Sequence, residues 1–203
     1  MKIICIGRNY ASHARELNNP IPSEPVIFMK PDSSIIRNNQ PFFLPDFSND
    51  VHHEVELVVK IKKLGKHIAK KFAHKYYDEI GIGIDFTARD FQSKLKEKGL
   101  PWEKAKGFDG SAPLGKFVSK EIFKDIQDIN FHLDINGKPA QAGNTKDMLF
   151  TIDDIIEQVS KYFTLKIGDL IFTGTPEGVG KVNPNDLLEC YIEGQKLLSF
   201  RVK

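Results

Sequence analysis

Glu54 and Glu56 stand two residues apart in HHEVEL, at the head of a largely apolar run that ends at Ile61. Alternate side chains of a strand share a face, so both carboxylates would point the same way beside a core of Val55, Leu57, Val58, Val59 and Ile61. Two like charges on one half-buried face repel each other and resist desolvation, and a divalent cation relieves both costs. Oxygen-only ligands suit a hard ion such as Mg²⁺, with positions left for water and substrate. The same alternation also fits an edge strand carrying two solvent-facing acids. Asp85 ends a second apolar run, at 80–84, and so places another carboxylate at a sheet rim. His52 and His53 could be ligands as well; the expectation is that one packs in the core and the other supports a ligand carboxylate from behind.

His13 and Glu16, in NYASHARE, share a face if 10–17 is helical. A carboxylate beside an imidazole orients the ring and stabilises its protonated form, which makes a usable general base. An exposed helix with an incidental ion pair has the same spacing. Arg89 and Gln92 also share a helical face, one a cation and one a neutral donor. Lys106 lies between Trp102 and the Gly107-Phe108-Asp109-Gly110 segment, and reads equally as a surface lysine or as one drawn to a substrate carboxylate. TGTPEGVG, 173–180, follows an apolar run; it fits a tight turn whose amides meet an anion, or a plain turn. It is no phosphate loop, because no Gly-Lys-Ser/Thr follows.

Strand-like runs at 3–6, 26–29, 54–61, 80–84, 129–135, 170–173, 187–192 and 196–202 must position these groups. Helical patterns cover 87–98, with Thr87 and Asp90 spaced as a capping box and Gly99 as the stop, and 151–163, whose apolar stripe includes Ile152, Ile155, Ile156 and Val159. A short helix is expected at 10–17, and 69–77 could form another. Gly143-Asn144-Thr145 reads as a turn. Strands outnumber helices without regular alternation, so the fold class is α+β, with a rolled or sandwiched sheet. With 203 residues, no repeat and no linker, 1–203 reads as one domain.

The net charge is +2, and the lysine-rich stretches alternate with apolar residues, so they read as solvated faces and no nucleic-acid partner is expected. Cys5 and Cys190 sit in apolar strand-like settings and read as buried free thiols. No signal peptide and no stretch long enough to span a bilayer is evident, so a cytoplasmic protein without a membrane partner is expected.

Taken together, GRNYASHARE, PVIFMKPDSS, HHEVEL, GIDFTARD, PWEKAKGFDG, GNTKDMLF and GDLIFTGTPEGVG resemble the fumarylacetoacetate hydrolase family, in the family's order and over nearly the whole chain. Without an added N-terminal domain, the chain looks most like the acylpyruvate hydrolases, a branch that also holds oxaloacetate decarboxylases. The resemblance implies a mixed β-roll, a homodimer, and Glu54, Glu56 and Asp85 as ligands of Mg²⁺ or Mn²⁺. It implies His13 and Glu16 as a water-activating dyad on a lid that orders with substrate, and Lys106 as the active-site lysine. Arg89 and Gln92 would line the site, and Thr175 would contact the substrate carboxylate.

The expected reaction is cleavage of a 3-acylpyruvate, a small 2-oxo acid, into pyruvate and a carboxylate. Oxaloacetate decarboxylation or keto–enol tautomerisation is the alternative on the same metal site. More remote are another isomerase or hydratase of the family and a non-catalytic oxoacid-binding protein, which the separate His13–Glu16 pair argues against.

Overall fold

The strand Val55–Ile61 is buried along its length except at Lys60, because apolar residues cover both of its faces. Val55 and Leu57 join one buried cluster, Val59 and Ile61 a second, and Val58 a third with Ile3, Cys5, Leu170 and Phe172. That double covering explains why the run reads as continuously apolar. The computed structural model describes residues 1–17 and 19–203.

Val55–Ile61 lies inside a six-stranded sheet ordered Val26–Lys30, Ile3–Gly7, Leu170–Phe172, Val55–Ile61, Tyr77–Ile84 and Val118–Ser119. Ile3–Gly7 and Leu170–Phe172 run parallel, and the other neighbours are antiparallel, so the sheet is mixed. An antiparallel sheet of Lys138–Asn144, Asn130–Ile135, Leu187–Ile192 and Gln195–Arg201 packs into the first cluster. A small third sheet pairs Val51–His53 with Gly180–Lys181 and Thr87–Ala88. The fold class is α+β, as expected.

Glu54 falls between Val51–His53 and Val55–Ile61, where the chain leaves one sheet for the next. It is therefore a break in the strand, not its first residue as the pattern implied. The register still aligns the acids. Val55 pairs with Ile84 and Glu56 with Gly83, and the Asp85 amide donates to the Glu54 carbonyl at 2.8 Å. Opposed residues share a face, so Glu54, Glu56 and Asp85 converge on one side of the sheet.

The helix Ile152–Tyr162 buries its apolar stripe in the second cluster, and Thr151 with Asp154 closes a capping box at its start. The helix Arg89–Glu97 has no side-chain cap, which corrects the Thr87–Asp90 box. Thr87 is buried and gives its hydroxyl to Glu54 instead, while Asp90 accepts from Ser48 Oγ. Gly143 and Asn144 end a strand, not a turn, because pairing with Asn130–Ile135 outweighs weak local β-propensity. Residues 69–77 yield only the short helix Lys70–Ala73 before the next strand begins. Cys5 and Cys190 are buried and free. Among the described residues, no helix is long and apolar enough to cross a membrane.

Candidate active site

Glu54, Glu56 and Asp85 each offer a carboxylate oxygen, and these oxygens lie within 4.8 Å of one another, all buried. Their surroundings differ. Glu54 accepts from Lys106 Nζ at 2.9 Å, Thr87 Oγ1 at 2.9 Å and Arg89 Nη2. Burial alone would raise its carboxyl, but Lys106 and Arg89 hold it well below the usual carboxylate range. Asp85 lies between two lysines, with Lys106 Nζ 2.6 Å from Oδ2 and Lys30 Nζ 2.8 Å from Oδ1.

Glu56 has no cationic partner among the described residues; its one hydrogen bond comes from the Gly174 amide at 2.7 Å. Burial, reinforced by Asp85 and Glu54, pushes its carboxyl well above the usual range. A buried acid without its own cation, beside two further carboxylates, is the observation that fits a divalent metal. The donor set is all oxygen, as Mg²⁺ or Mn²⁺ requires.

Lys106 is buried at the end of the short helix Glu103–Lys106, so its reading as a surface lysine falls. Burial would lower its pKa, but Asp85 and Glu54 hold it above its ordinary value. Arg89 Nη1 donates to Gln92 Oε1 at 2.7 Å, so the two do share a face. Both line the cavity with the acids.

His13 lies on the helix Ala11–Glu16 and lines that cavity too. Its Nδ1 is 3.1 Å from Glu16 Oε2, while Glu16 Oε1 accepts from the Gly178 amide at 3.0 Å. One carboxylate thus orients the ring and ties the helix to the 173–180 turn. Thr175 also lines the cavity, but its hydroxyl donates to the Val55 carbonyl and accepts from Gln141 Nε2, both at 2.9 Å. That hydroxyl therefore also braces the strand beside the acids.

His53 is buried against Gln141 Oε1 at 2.8 Å, and half-buried His52 contacts Asp50 at 2.9 Å. His53 packs as expected, but the carboxylate that His52 contacts lies outside the acidic cluster, so neither ring hydrogen-bonds a candidate ligand.

Two positions that brace the site escaped the sequence reading. Lys30 Nζ is enclosed by the carbonyls of Phe86, Lys106 and Ser111 as well as Asp85, which fixes Asp85 from behind. Its signal was a lysine ending an apolar strand just before Pro31. Gln141 joins Val55, His53 and Thr175, but its strand carried no β-rich pattern.

Gly174 brings its amide to Glu56 with φ at +103°, and a Cβ there would lie 2.6 Å from Asn9 Cβ and 3.1 Å from the Ile6 carbonyl. Gly174→Ala therefore combines a left-handed penalty of about 1–2 kcal/mol with overpacking of about 1–3 kcal/mol. The expected result in thermal unfolding is a melting temperature lower by roughly 5–15 °C. A loss within 2 °C, about what a 1 kcal/mol change would give, would show that the turn has slack.

The profile described as fumarylacetoacetate (FAA) hydrolase C-terminal matches residues 2–203. The chain belongs to the fumarylacetoacetate hydrolase family. It is 44% identical over 194 residues to the mitochondrial oxaloacetate decarboxylase of Dictyostelium discoideum, covering 95% of this chain and 89% of that protein. It is 43% identical over 201 residues to the mitochondrial oxaloacetate tautomerase of Mus musculus, covering 99% and 91%. Among solved structures, the fumarylpyruvate hydrolase of Pseudomonas aeruginosa, in complex with Mn²⁺ and pyruvate, superposes with a TM-score of 0.94 at 33% identity. That match covers 100% of this chain and 89% of the other. For this member of the fumarylacetoacetate hydrolase family, then, an enzymatic role and a buried acidic cluster suited to a divalent metal stand together.

Proposed function

We propose that the chain is a divalent-metal-dependent enzyme acting on oxaloacetate by proton transfer at C3, interconverting its keto and enol forms. The observation that carries this reading is one cavity lined by His13, Glu54, Glu56 and Asp85 together. The names of the near full-length relatives supply the substrate. Held by Glu54, Glu56 and Asp85, Mg²⁺ or Mn²⁺ would supply Lewis-acid stabilisation of the charge that develops on a 2-oxo acid.

The remaining work falls to the chain's own side chains. With Glu16 accepting from Nδ1–H, His13 Nε2 is free to take the C3 proton. As that proton leaves, the C2–C3 double bond forms and the C2 oxygen takes a proton from solvent. Lys106 and Gln92 present donors to the substrate oxygens, and Arg89 fixes Glu54 and Gln92 in place. Thr175 shapes the wall of the site.

Hydrolysis of 3-acylpyruvates, which the sequence put first, is the second reading. The dyad fits it as well, since His13 could equally take a proton from water attacking the distal carbonyl. The names of the relatives put oxaloacetate ahead of it.

The test follows enol oxaloacetate and pyruvate in parallel, with acetylpyruvate alongside, in Mg²⁺ and in chelator. Metal-dependent loss of the enol without pyruvate supports tautomerisation. Pyruvate from oxaloacetate moves the assignment to decarboxylation. Turnover of acetylpyruvate alone overturns the oxaloacetate reading and restores the hydrolase.

In this proposal residues 1–203 act as one catalytic domain in a homodimer. The word mitochondrial in both relatives' names sets that compartment beside the cytoplasmic one expected from the sequence.

A further inference from the structure

The cavity holds more positive charge than its acids use. Lys106 is paired with Glu54 and Asp85, and Arg89 with Glu54. Arg8 and Lys96 line the same cavity, yet neither side chain makes a hydrogen bond or ion pair with the described residues. Lys96 stands over the Trp102 ring, with Nζ 5.4 Å from its centroid. Burial, together with Arg8, Arg89 and Lys106, pushes its ammonium down to about 8, and Glu54 is the one anion opposing that shift.

Arg8 is held as firmly by its backbone. Its φ is +60°, a left-handed conformation that a side chain with a Cβ rarely adopts. The next residue pins it there: the Asn9 amide donates to the carbonyls of Thr173 and Phe150, and its oxygen accepts from the Phe150 amide. Strain of this kind persists where surrounding structure over-determines it, and it clusters at ligand sites. Two half-buried cations without a hydrogen-bonded counter-charge, lining one cavity with a buried acidic cluster, favour an arriving anion.

We propose that Arg8 and Lys96 form a second carboxylate subsite, which holds the C4 carboxylate of a four-carbon 2-oxo dicarboxylate whose C1–C2 end faces the acidic cluster. The inference rests on the oxaloacetate reading and deepens it, because it makes the dicarboxylate the preferred substrate over any acylpyruvate with an uncharged tail. Arg8 and Lys96 are substrate-binding residues here and take no part in proton transfer.

Malate and lactate provide a stable pair of probes, since they share a 2-hydroxy acid head and differ by the C4 carboxylate. Calorimetric titration of the Mg²⁺-loaded protein should give tighter binding of malate. In Lys96→Met and in Arg8→Asn, the malate-to-lactate preference should fall by about 10- to 100-fold, the usual loss of a hydrogen bond to a charged group. Lactate affinity should stay within about twofold of wild type. Asn tolerates the left-handed backbone at position 8, so that variant should fold, and Lys96→Arg should restore part of the preference.

Equal weakening of malate and lactate, or an unchanged preference, overturns the subsite. The two proposals fail separately. A malate preference lost in the variants, in a protein that does not turn over oxaloacetate, keeps the subsite and overturns the reaction. Oxaloacetate turnover with an unchanged preference in both variants keeps the reaction and overturns the subsite.

Discussion

Glu56→Gln loses turnover by more than about 10²-fold, yet makes the metal-free protein more resistant to heat. The activity loss follows from removing one of three anionic oxygens, since the loss of a group merely supporting a metal ligand already costs about 10–100-fold. The gain in stability follows from the environment of Glu56. Burial and the charges of Asp85 and Glu54 raise its carboxyl in the folded state, and Gly174 gives it a hydrogen bond but no counter-charge.

A carboxyl raised on folding destabilises the native state at any pH above its unfolded value, and glutamine has no such cost. The variant's advantage in chelator should therefore be absent at a pH below the ordinary carboxylate range of about 4. It should grow as pH rises from there and level off above the folded pKa. Added Mg²⁺ should reverse the order. At a hundred times its Kd, a metal that binds only the native state contributes about 2.7 kcal/mol, or roughly 5–10 °C for a chain of this size. Scanning calorimetry with and without chelator reads all of these effects. An equal metal-induced rise in wild type and Glu56→Gln would remove Glu56 from the ligand set.

His13→Ala should lose about 10²–10⁴-fold in kcat, the usual contribution of a positioned general base. Its metal-induced rise in melting temperature should survive, because no hydrogen bond links His13 to the three carboxylates. That separation marks a residue that moves protons, as distinct from one that builds the site. Glu16→Ala should act differently. It removes both the orientation of the ring and the hydrogen bond from Gly178, so KM as well as kcat should change. Undiminished turnover of both oxaloacetate and acetylpyruvate by His13→Ala would end the dyad's role in either reaction.

The acidic cluster was legible because two acids two residues apart stand out at the head of an apolar run, and extended chain points both the same way. Asp85 was legible as the polar end of such a run. Lys106 entered only through the family resemblance, since its burial depends on Glu54 and Asp85, which lie far from it in sequence and meet it only in the folded chain. Lys30 was hidden for the same reason: a lysine at a strand end is commonly solvated, and here the chain closes over it. Thr87 misled because its spacing to Asp90 suits a cap, while its neighbour across the sheets, Glu54, offers a stronger acceptor. Local pattern specified which residue types stand together along the chain. It did not specify which far-apart groups pair, and the site is made of such pairs.

The helix that carries His13 spans only Ala11–Glu16, too short to persist alone in water. It is held by what it meets: the bridge from Tyr10 to Met148, the Leu149 amide on the Asn9 carbonyl, and the Glu16–Gly178 latch. One side chain, Glu16, therefore both sets the His13 ring and anchors the helix that carries it. On the proposed reading, loss of the Glu16 carboxylate would cost the base its orientation and its helix an anchor together.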